Sequence, residues 1–413
     1  MSTVPVAVLG AGQAGLAVSR LLTGSGVEHV VLDRGRPAEA WRARPWESLR
    51  LLTPNWMSRL PGWSYPGPDE HGFMTARGVA AYLSAYARSF AAPVVGGAEL
   101  ESVRPAAGGY RVDTAAGSWT ARAVVVATGW CQSPAVPDVA GALDPRIAQQ
   151  TAASYSSPAA LPAGRVLVVG ASASGVQLAD ELAAAGRDVV LAVGGHTRLP
   201  RTYRGLDILW WLTAMGMFDA ETRPSGGPDP SLQLVGRPDR RDVDLPALQQ
   251  RGVSLTGRVV SVEGSRVRFA PDLPGTTAAA DARMSALLHR VDAYAHAVGL
   301  DDEIEPPPPP LPAARTDAAA GELDLAAAGF GAVLWATGYR RAYPWLHVPV
   351  LDAAGEIRHV RGHTAAPGLH VVGMRRQTRR SSTFLDGVRH DAALVVDAVL
   401  AELGAARPVE CAA

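Results

Sequence analysis

The chain contains no lysine; all 39 of its basic residues are arginine. That excludes a lysine Schiff base and the phosphate-binding lysine of a Walker loop. With the Ala, Gly and Pro bias, it reads as the codon usage of a GC-rich genome. Cysteine is almost as scarce. Cys131 and Cys411 lie far apart and form no CxxC, which argues against disulfide-exchange chemistry and favours two free thiols in a reducing cytosol. Net charge is missing too, since 39 acidic residues balance the basic ones, so no nucleic-acid or membrane-surface partner is called for. No apolar run reaches membrane-spanning length. A strand begins within four residues of Met1, leaving no room for a signal peptide, so the cytoplasm is the expected location. At 413 residues, 47% hydrophobic and 19% charged, the chain is an ordinary globular protein too long for one core, and two or three domains are expected.

The most informative stretch is the first, Val4 to Asp33. It reads as a strand to Leu9, a glycine turn (Gly10, Gly12, Gly15), a helix to Thr23, and a second strand ending on Asp33. Gly10 makes the tight turn, Gly12 lets backbone amides approach a pyrophosphate, and Gly15 lets the helix pack on the strand. Phosphates then sit at the helix N-terminus, where unpaired N–H groups and the dipole favour negative charge. An acid about 20 residues on accepts the ribose hydroxyls. The pattern predicts a dinucleotide site.

Residues 34 to 74 are dense in Trp, Arg, Pro and Gly, and such a long irregular segment is expected to wrap a ligand. Trp41, Trp46, Trp56 and Trp63 are open to either stacking or plain packing. Thr75 to Phe90 is an amphipathic helix capped by Thr75. Short strands follow near Val103, Tyr110 to Thr114 and Ser118 to Ala121. Ala123 to Trp130 (AVVVATGW) is a continuous apolar strand of the kind buried on both faces.

From Arg165 the opening unit recurs, with Gly170, Ser172 and Gly175 in the turn. Its acid slot falls on Val193, and His196 and Arg198 follow. A missing carboxylate with a nearby arginine suits the 2′-phosphate of NADP, so His196 and Arg198 are the candidates, Arg201 a weaker one. Solvated loop arginines are the alternative reading. Helices are expected over Arg204 to Phe218 and Asp281 to Gly299, and a stiff connector over Pro306 to Pro310. Residues 219 to 247 read as loop. His289 and His296 lack a partnering carboxylate or cysteine and read as surface residues rather than metal ligands. Ala332 to Tyr339 (AVLWATGY) echoes the earlier ATG strand, and a strand at Leu369 to Val372 and a helix from Gly387 end the chain.

These elements predict an α/β fold of two Rossmann-like, doubly wound parallel-sheet domains, the second inserted in the first. The outer domain is 1–153 plus 327–413 and the inner 154–326, with two nucleotides facing each other across a cleft.

GAGQAG, WESLRLLTPNWMS, the first ATG, GASASG with the segment after it, YRGLDILWWL, ATGY and SSTFLDGVRHDA occur in one order. In that order the chain resembles the two-dinucleotide-binding-domain flavoproteins, and within them bacterial relatives of the flavin-containing and Baeyer–Villiger-type (class B) monooxygenases. The resemblance implies FAD on the first unit and NADP(H) on the second. It also implies oxygen transfer from a flavin C4a-(hydro)peroxide to a small molecule, by N- or S-oxygenation or Baeyer–Villiger reaction, with molecular oxygen as co-substrate. Two departures stand out: Thr151 occupies the position of a family histidine, and Leu52 that of a family asparagine, with Asn55 just beyond. FAD contacts are expected from Gly10, Gly12, Gln13, Ala14, Gly15, Asp33, Arg34, Trp41, Thr128, Gly129, Gly338, Gly373 and Asp386. Gly170, Ser172, Ser174, Gly175, His196 and Arg198 are expected on NADP(H). Asn55, Thr53 and Thr337 are the catalytic candidates, Ser382 another lining residue, and Arg379 and Arg380 carboxylate binders. An NADPH oxidase or dehydrogenase and a redox-sensing flavoprotein are the alternatives. Oligomeric state is open, a homodimer included.

Overall fold

The computed structural model describes residues 2–44, 46–221 and 231–404. In chain order, strand β1 (Ser2–Leu9) leads through a glycine turn to helix α1 (Gln13–Gly24) and β2 (His29–Leu32). Helix α2 (Ala76–Ser89) and strands β3 (Val94–Val95), β4 (Leu100–Ala106), β5 (Gly109–Thr114) and β6 (Gly117–Val126) follow. The second unit runs β7 (Ala148–Thr151), β8 (Arg165–Val169), α3 (Ala173–Ala184) and β9 (Val189–Ala192). After it come α4 (Ile208–Ala214), β10 (Ser254–Thr256), α5 (Leu273–Ala297), β11 (Phe330–Trp335), β12 (Leu369–Val371) and α6 (Val388–Leu403). Among the described residues, no helix is long and apolar enough to cross a membrane.

Seven strands form the first sheet among the described residues, in the order β3-β2-β1-β6-β5-β4, with β12 beside the far half of β6. Its parallel part is buried on both faces. Val6 and Val8 face α1, α2 and α6, while Ala7 and Leu9 face the other cluster with Val103, Tyr343 and Leu346. That is why β1 is a near-continuous apolar run rather than an alternating one. The two segments read as separate strands, 118–121 and 123–130, are one strand, β6, whose first half pairs with the meander and whose second half pairs with β12.

The second sheet has the order β7-β11-β8-β9-β10, all parallel. It corrects the expected boundaries. The second ATG strand, β11, lies between β7 and β8, so neither 148–151 nor 330–335 belongs to the outer sheet. The reason is that the whole unit is duplicated: β11 stands to β8 as β6 stands to β1. Helix α5 also starts eight residues earlier than expected, because Pro274 sits in its first turn, where a missing N–H costs nothing.

The domains are tied by side chains. Glu181 on α3 accepts from Trp46 Nε1 at 2.8 Å and from the Ser48 hydroxyl at 2.7 Å. Arg379 reaches Asp219 at 2.7 Å, and the Phe218 and Phe384 rings meet at 5.5 Å. The two chain crossings between the domains also run together. Ser133–Pro134 pairs with Tyr339–Arg340, Ala135 N–H donates to Gly338 at 2.9 Å, and the Thr337 hydroxyl donates to Ala135 at 2.7 Å.

Candidate functional site

The two glycine turns share their backbone geometry. Gly10 has φ +111° and Gly170 +107°, a region L side chains rarely adopt. A Cβ on Gly15 would lie 1.8 Å from the Gly10 carbonyl oxygen, and one on Gly175 1.7 Å from that of Gly170. The helices can approach the strands this closely only without side chains there. The middle positions differ in residue but not in backbone: Gly12 has φ −83°, ψ −172° and Ser172 φ −86°, ψ −174°. Space above Gly12 is open to 4 Å. Neither α1 nor α3 carries a side-chain cap, so their first-turn N–H groups, those of Gln13, Ala14, Ser174 and their neighbours, are left for a ligand. Both cradles fit the pyrophosphate of a dinucleotide.

Asp33 closes β2 as expected and also fastens the turn. Its Oδ2 accepts from Ala11 N–H at 2.6 Å and its Oδ1 from Gly35 N–H at 2.9 Å. An ionised carboxylate has about four acceptor sites, so capacity remains for ribose hydroxyls. Arg34 is exposed beside it. The Gln13 side chain donates to the Thr383 carbonyl at 2.8 Å, holding the C-terminal loop against α1, and Gly373 packs on Ala14. Gly129 (φ +77°) and Gly338 (φ +93°) follow the two ATG strands with no atom near their missing Cβ. Thr128 accepts from Gln132 at 3.0 Å.

Several residues expected at a ligand have other work. Arg198 is 3% exposed, holds Asp244 (2.6 Å) and Asp281 (2.7 Å), and donates to the Pro312 carbonyl. Strand 196–198 pairs with 231–233 and carries its guanidinium inward, where four of its five N–H groups are already engaged. His196 is buried with Nδ1 on the Gly194 carbonyl, and burial pushes its pKa down. Arg201 is fully buried against Asp207, the Leu52 carbonyl and the Phe73 ring. Asp386 is gripped by Arg59 at 2.8 and 2.9 Å and by Arg389 at 3.1 Å, so it ties the 59–60 segment to α6 rather than waiting for a cofactor.

The catalytic candidates fare similarly. Asn55 lines the cavity described below, and its amide also braces the loop, donating to the Asp69 carbonyl and accepting from Met74 N–H. Thr337 is held by the crossing strap described above. Thr53 is buried. Ser382 is fully buried, bonded to the backbone of Thr378 and Arg379. Arg379 is paired with Asp219, while Arg380 is exposed. Thr151 ends β7 and shares a turn with Ser154.

A cavity of about 380 Å³ opens between the 50–75 segment and residues 238–240 of the other domain. Arg50, Arg240, Asp69 and Tyr65 give it a polar wall, and Phe73 and Met74 an apolar one. A second cluster stands at the ends of the two ATG strands and was not foreseen. Arg44 donates to the Tyr339 hydroxyl at 3.0 Å and lies over the Trp41 and Tyr339 rings, while Arg375 lies over Trp130. Its sequence signals were Trp41, already expected at the flavin, and the aromatic residue after each ATG. Burial pushes the Cys131 thiol beside it up to about 11, leaving it a poor nucleophile. Cys411 and residues 222–230 lie outside the described residues.

A family model described as pyridine nucleotide-disulphide oxidoreductase matches residues 7–205. An uncharacterized CzcO-like oxidoreductase of Geobacillus kaustophilus is 31% identical over 404 residues, covering 96% of this chain and 98% of that protein. The indole-3-pyruvate monooxygenase YUCCA1 of Oryza sativa subsp. japonica is 31% identical over 297 residues, covering 64% of this chain and 73% of that one. A solved flavin-containing monooxygenase from Stenotrophomonas maltophilia matches in fold with TM-score 0.69 at 21% identity, over 98% of this chain and all of that one.

Proposed function

This chain belongs to the flavin-dependent monooxygenase-like oxidoreductases of the pyridine nucleotide-disulphide oxidoreductase type, and from that premise we propose that it is an FAD-dependent, NADPH-using monooxygenase acting on a small molecule. The observation that carries the reading is the duplicated cradle. Two bare helix N-termini, each beside its own ATG strand, are joined by a double crossing, and only the first has a carboxylate in its acid slot.

Each part has a physical task. The amides opening α1 hold one pyrophosphate and Asp33 the adjoining ribose; the amides opening α3 and the Ser172 hydroxyl hold the other pyrophosphate. Bound flavin and nicotinamide would supply the two-electron chemistry that activates dioxygen, which is why no triad or carboxylate pair is required. The protein's contribution is alignment and exclusion of water, and the ties through Glu181, Arg379 and the crossing strap fix the domains for that purpose. Cys131, the one cysteine among the described residues, has a raised pKa and is a poor thiolate nucleophile.

The test is stoichiometric. NADPH consumption is followed with and without candidate sulfides, amines, ketones and an aromatic 2-oxo acid, and oxygenated product is weighed against hydrogen peroxide. Arg50 and Arg240 at the cavity are the reason for including carboxylates. Product matching NADPH for at least one substrate class is the expected result. Peroxide matching NADPH one-for-one with every compound would make the protein an oxidase, and no NADPH turnover would make it a sensor.

A further inference from the structure

The empty acid slot of the second unit has a counterpart one strand away. In the first sheet β2 pairs with β3 so that Leu32 lies opposite Val95, and Asp33 N–H donates to the Val95 carbonyl. In the second sheet β9 pairs with β10 so that Ala192 lies opposite Thr256, and Val193 N–H donates to the Thr256 carbonyl. The registers are the same. Asp33 therefore corresponds to Val193, Gly96 to Gly257, and Gly97 to Arg258. Where the first unit places an acid beside two glycines, the second places a valine beside a glycine and an arginine.

We propose that Arg258, and not the buried Arg198, reads the 2′-phosphate of the nicotinamide dinucleotide and sets the preference for NADP over NAD. This rests on the nucleotide reading of the second unit given above.

Three observations support it. The Arg258 stem passes over Gly194, its Cγ and Cδ lying 3.6 and 3.7 Å from where a Gly194 Cβ would stand, so it borders the slot itself. Its side chain is 65% exposed, free to meet a ligand from solvent. Asp272 accepts the Arg258 N–H at 3.1 Å and its Nε–H at 2.5 Å, which aims the guanidinium. Among the described residues, no partner holds the two terminal nitrogens. Those are the donors that face a phosphate in fork geometry. The competing pair with Asp272 is exposed and weak, so a dianionic phosphate can share the guanidinium without a large penalty. A ligand with only a ribose hydroxyl at that position gains nothing from the arginine.

The experiment titrates the flavin-loaded full chain with NADP⁺ and NAD⁺ by calorimetry, for the wild type, Arg258→Ala and Arg258→Glu. Expected is a loss of about 10- to 100-fold in NADP⁺ affinity for Arg258→Ala, with NAD⁺ changed less than about 3-fold. Arg258→Glu should weaken NADP⁺ further and leave NAD⁺ the preferred ligand. The wild-type NADP⁺ affinity should also fall more steeply with salt than that of Arg258→Ala. Equal weakening of both nucleotides, or no change in either, overturns the assignment while leaving the enzyme reading intact. A wild-type protein that binds neither nucleotide overturns both.

Discussion

Replacing Gly12 and Gly15 separately by alanine should give two different failures, because the two missing methyl groups face different things. At Gly15 the added Cβ would lie 1.8 Å from a backbone oxygen that has no rotamer to yield with. To restore ordinary contact, α1 and the turn must part by about 1.5 Å, in an interior packed to crystal-like density. Overpacking of this kind costs up to about 3 kcal/mol, and for domains of this size that lowers the melting temperature by roughly 6–12 °C. The flavin-free protein should therefore melt early and also fail to hold flavin. At Gly12 there is no atom within 4 Å, the backbone is in an ordinary extended conformation, and serine occupies the twin position at nearly the same φ and ψ. Gly12→Ala should cost the flavin-free fold under about 1 kcal/mol, the small difference between glycine and alanine at a helix N-cap. Its methyl group instead occupies the space through which a pyrophosphate approaches, without the hydroxyl by which Ser172 can donate to its own phosphate, so flavin affinity should fall at least about 10-fold. The assay is flavin absorbance per mole of protein after gel filtration, with melting of the flavin-free form in parallel. A Gly12→Ala protein that retains wild-type flavin content would refute the cradle assignment. A Gly15→Ala protein that melts with the wild type would refute the packing argument.

Arg198→Met should destabilise the second domain by about 3–5 kcal/mol in urea unfolding, since it strands the nearly buried Asp244 without its partner; a loss below about 1 kcal/mol would contradict the role given to that pair. Burial lowers the pKa of His29, whose Nδ1–H donates to the Val27 carbonyl and whose Nε2 meets Ser19. A depressed histidine contributes stability that is present above its unfolded value, about 6.5, and lost as pH falls through the lower folded one. Unfolding free energy should accordingly drop below pH ~6.5, and by less in His29→Gln; parallel pH curves for the two proteins would refute this. In a Cys411→Ser background, alkylation of Cys131 near pH 8 should run about 100-fold slower than for an ordinary thiol, given a pKa near 11. Labelling at an ordinary rate would refute the enclosure of this thiol.

Both glycine turns, the Thr75 cap and the long apolar strands were readable because each depends on its own few residues: a positive φ, a first-turn acceptor, a strand buried on both faces. Arg198 was misread because five residues from the acid slot looks close along the chain. What decides its fate is Asp244 and Asp281, 46 and 83 residues away. The ATG echo was visible, but its sheet was not, since pairing partners are set by parallel register across more than a hundred residues. Extending the repeat one strand further would have corrected it, because Ala127 and Ala336 stand at the same place beside Gly10 and Gly170. Asn55 and Asp386 have the side chains that ligands attract, and they are engaged by neighbours that only the folded loops supply.

The paired strap between the domains governs what motion is open to them. With Ala135 bonded to Gly338 and Thr337 back to Ala135, the two tethers behave as a single flat leaf, like the leather of a book spine. Such a leaf resists shear and torsion, and with the Glu181 and Arg379 ties it keeps the two halves from sliding or spinning past one another. A nick in one tether would leave the other in register. The halves are thereby held facing each other.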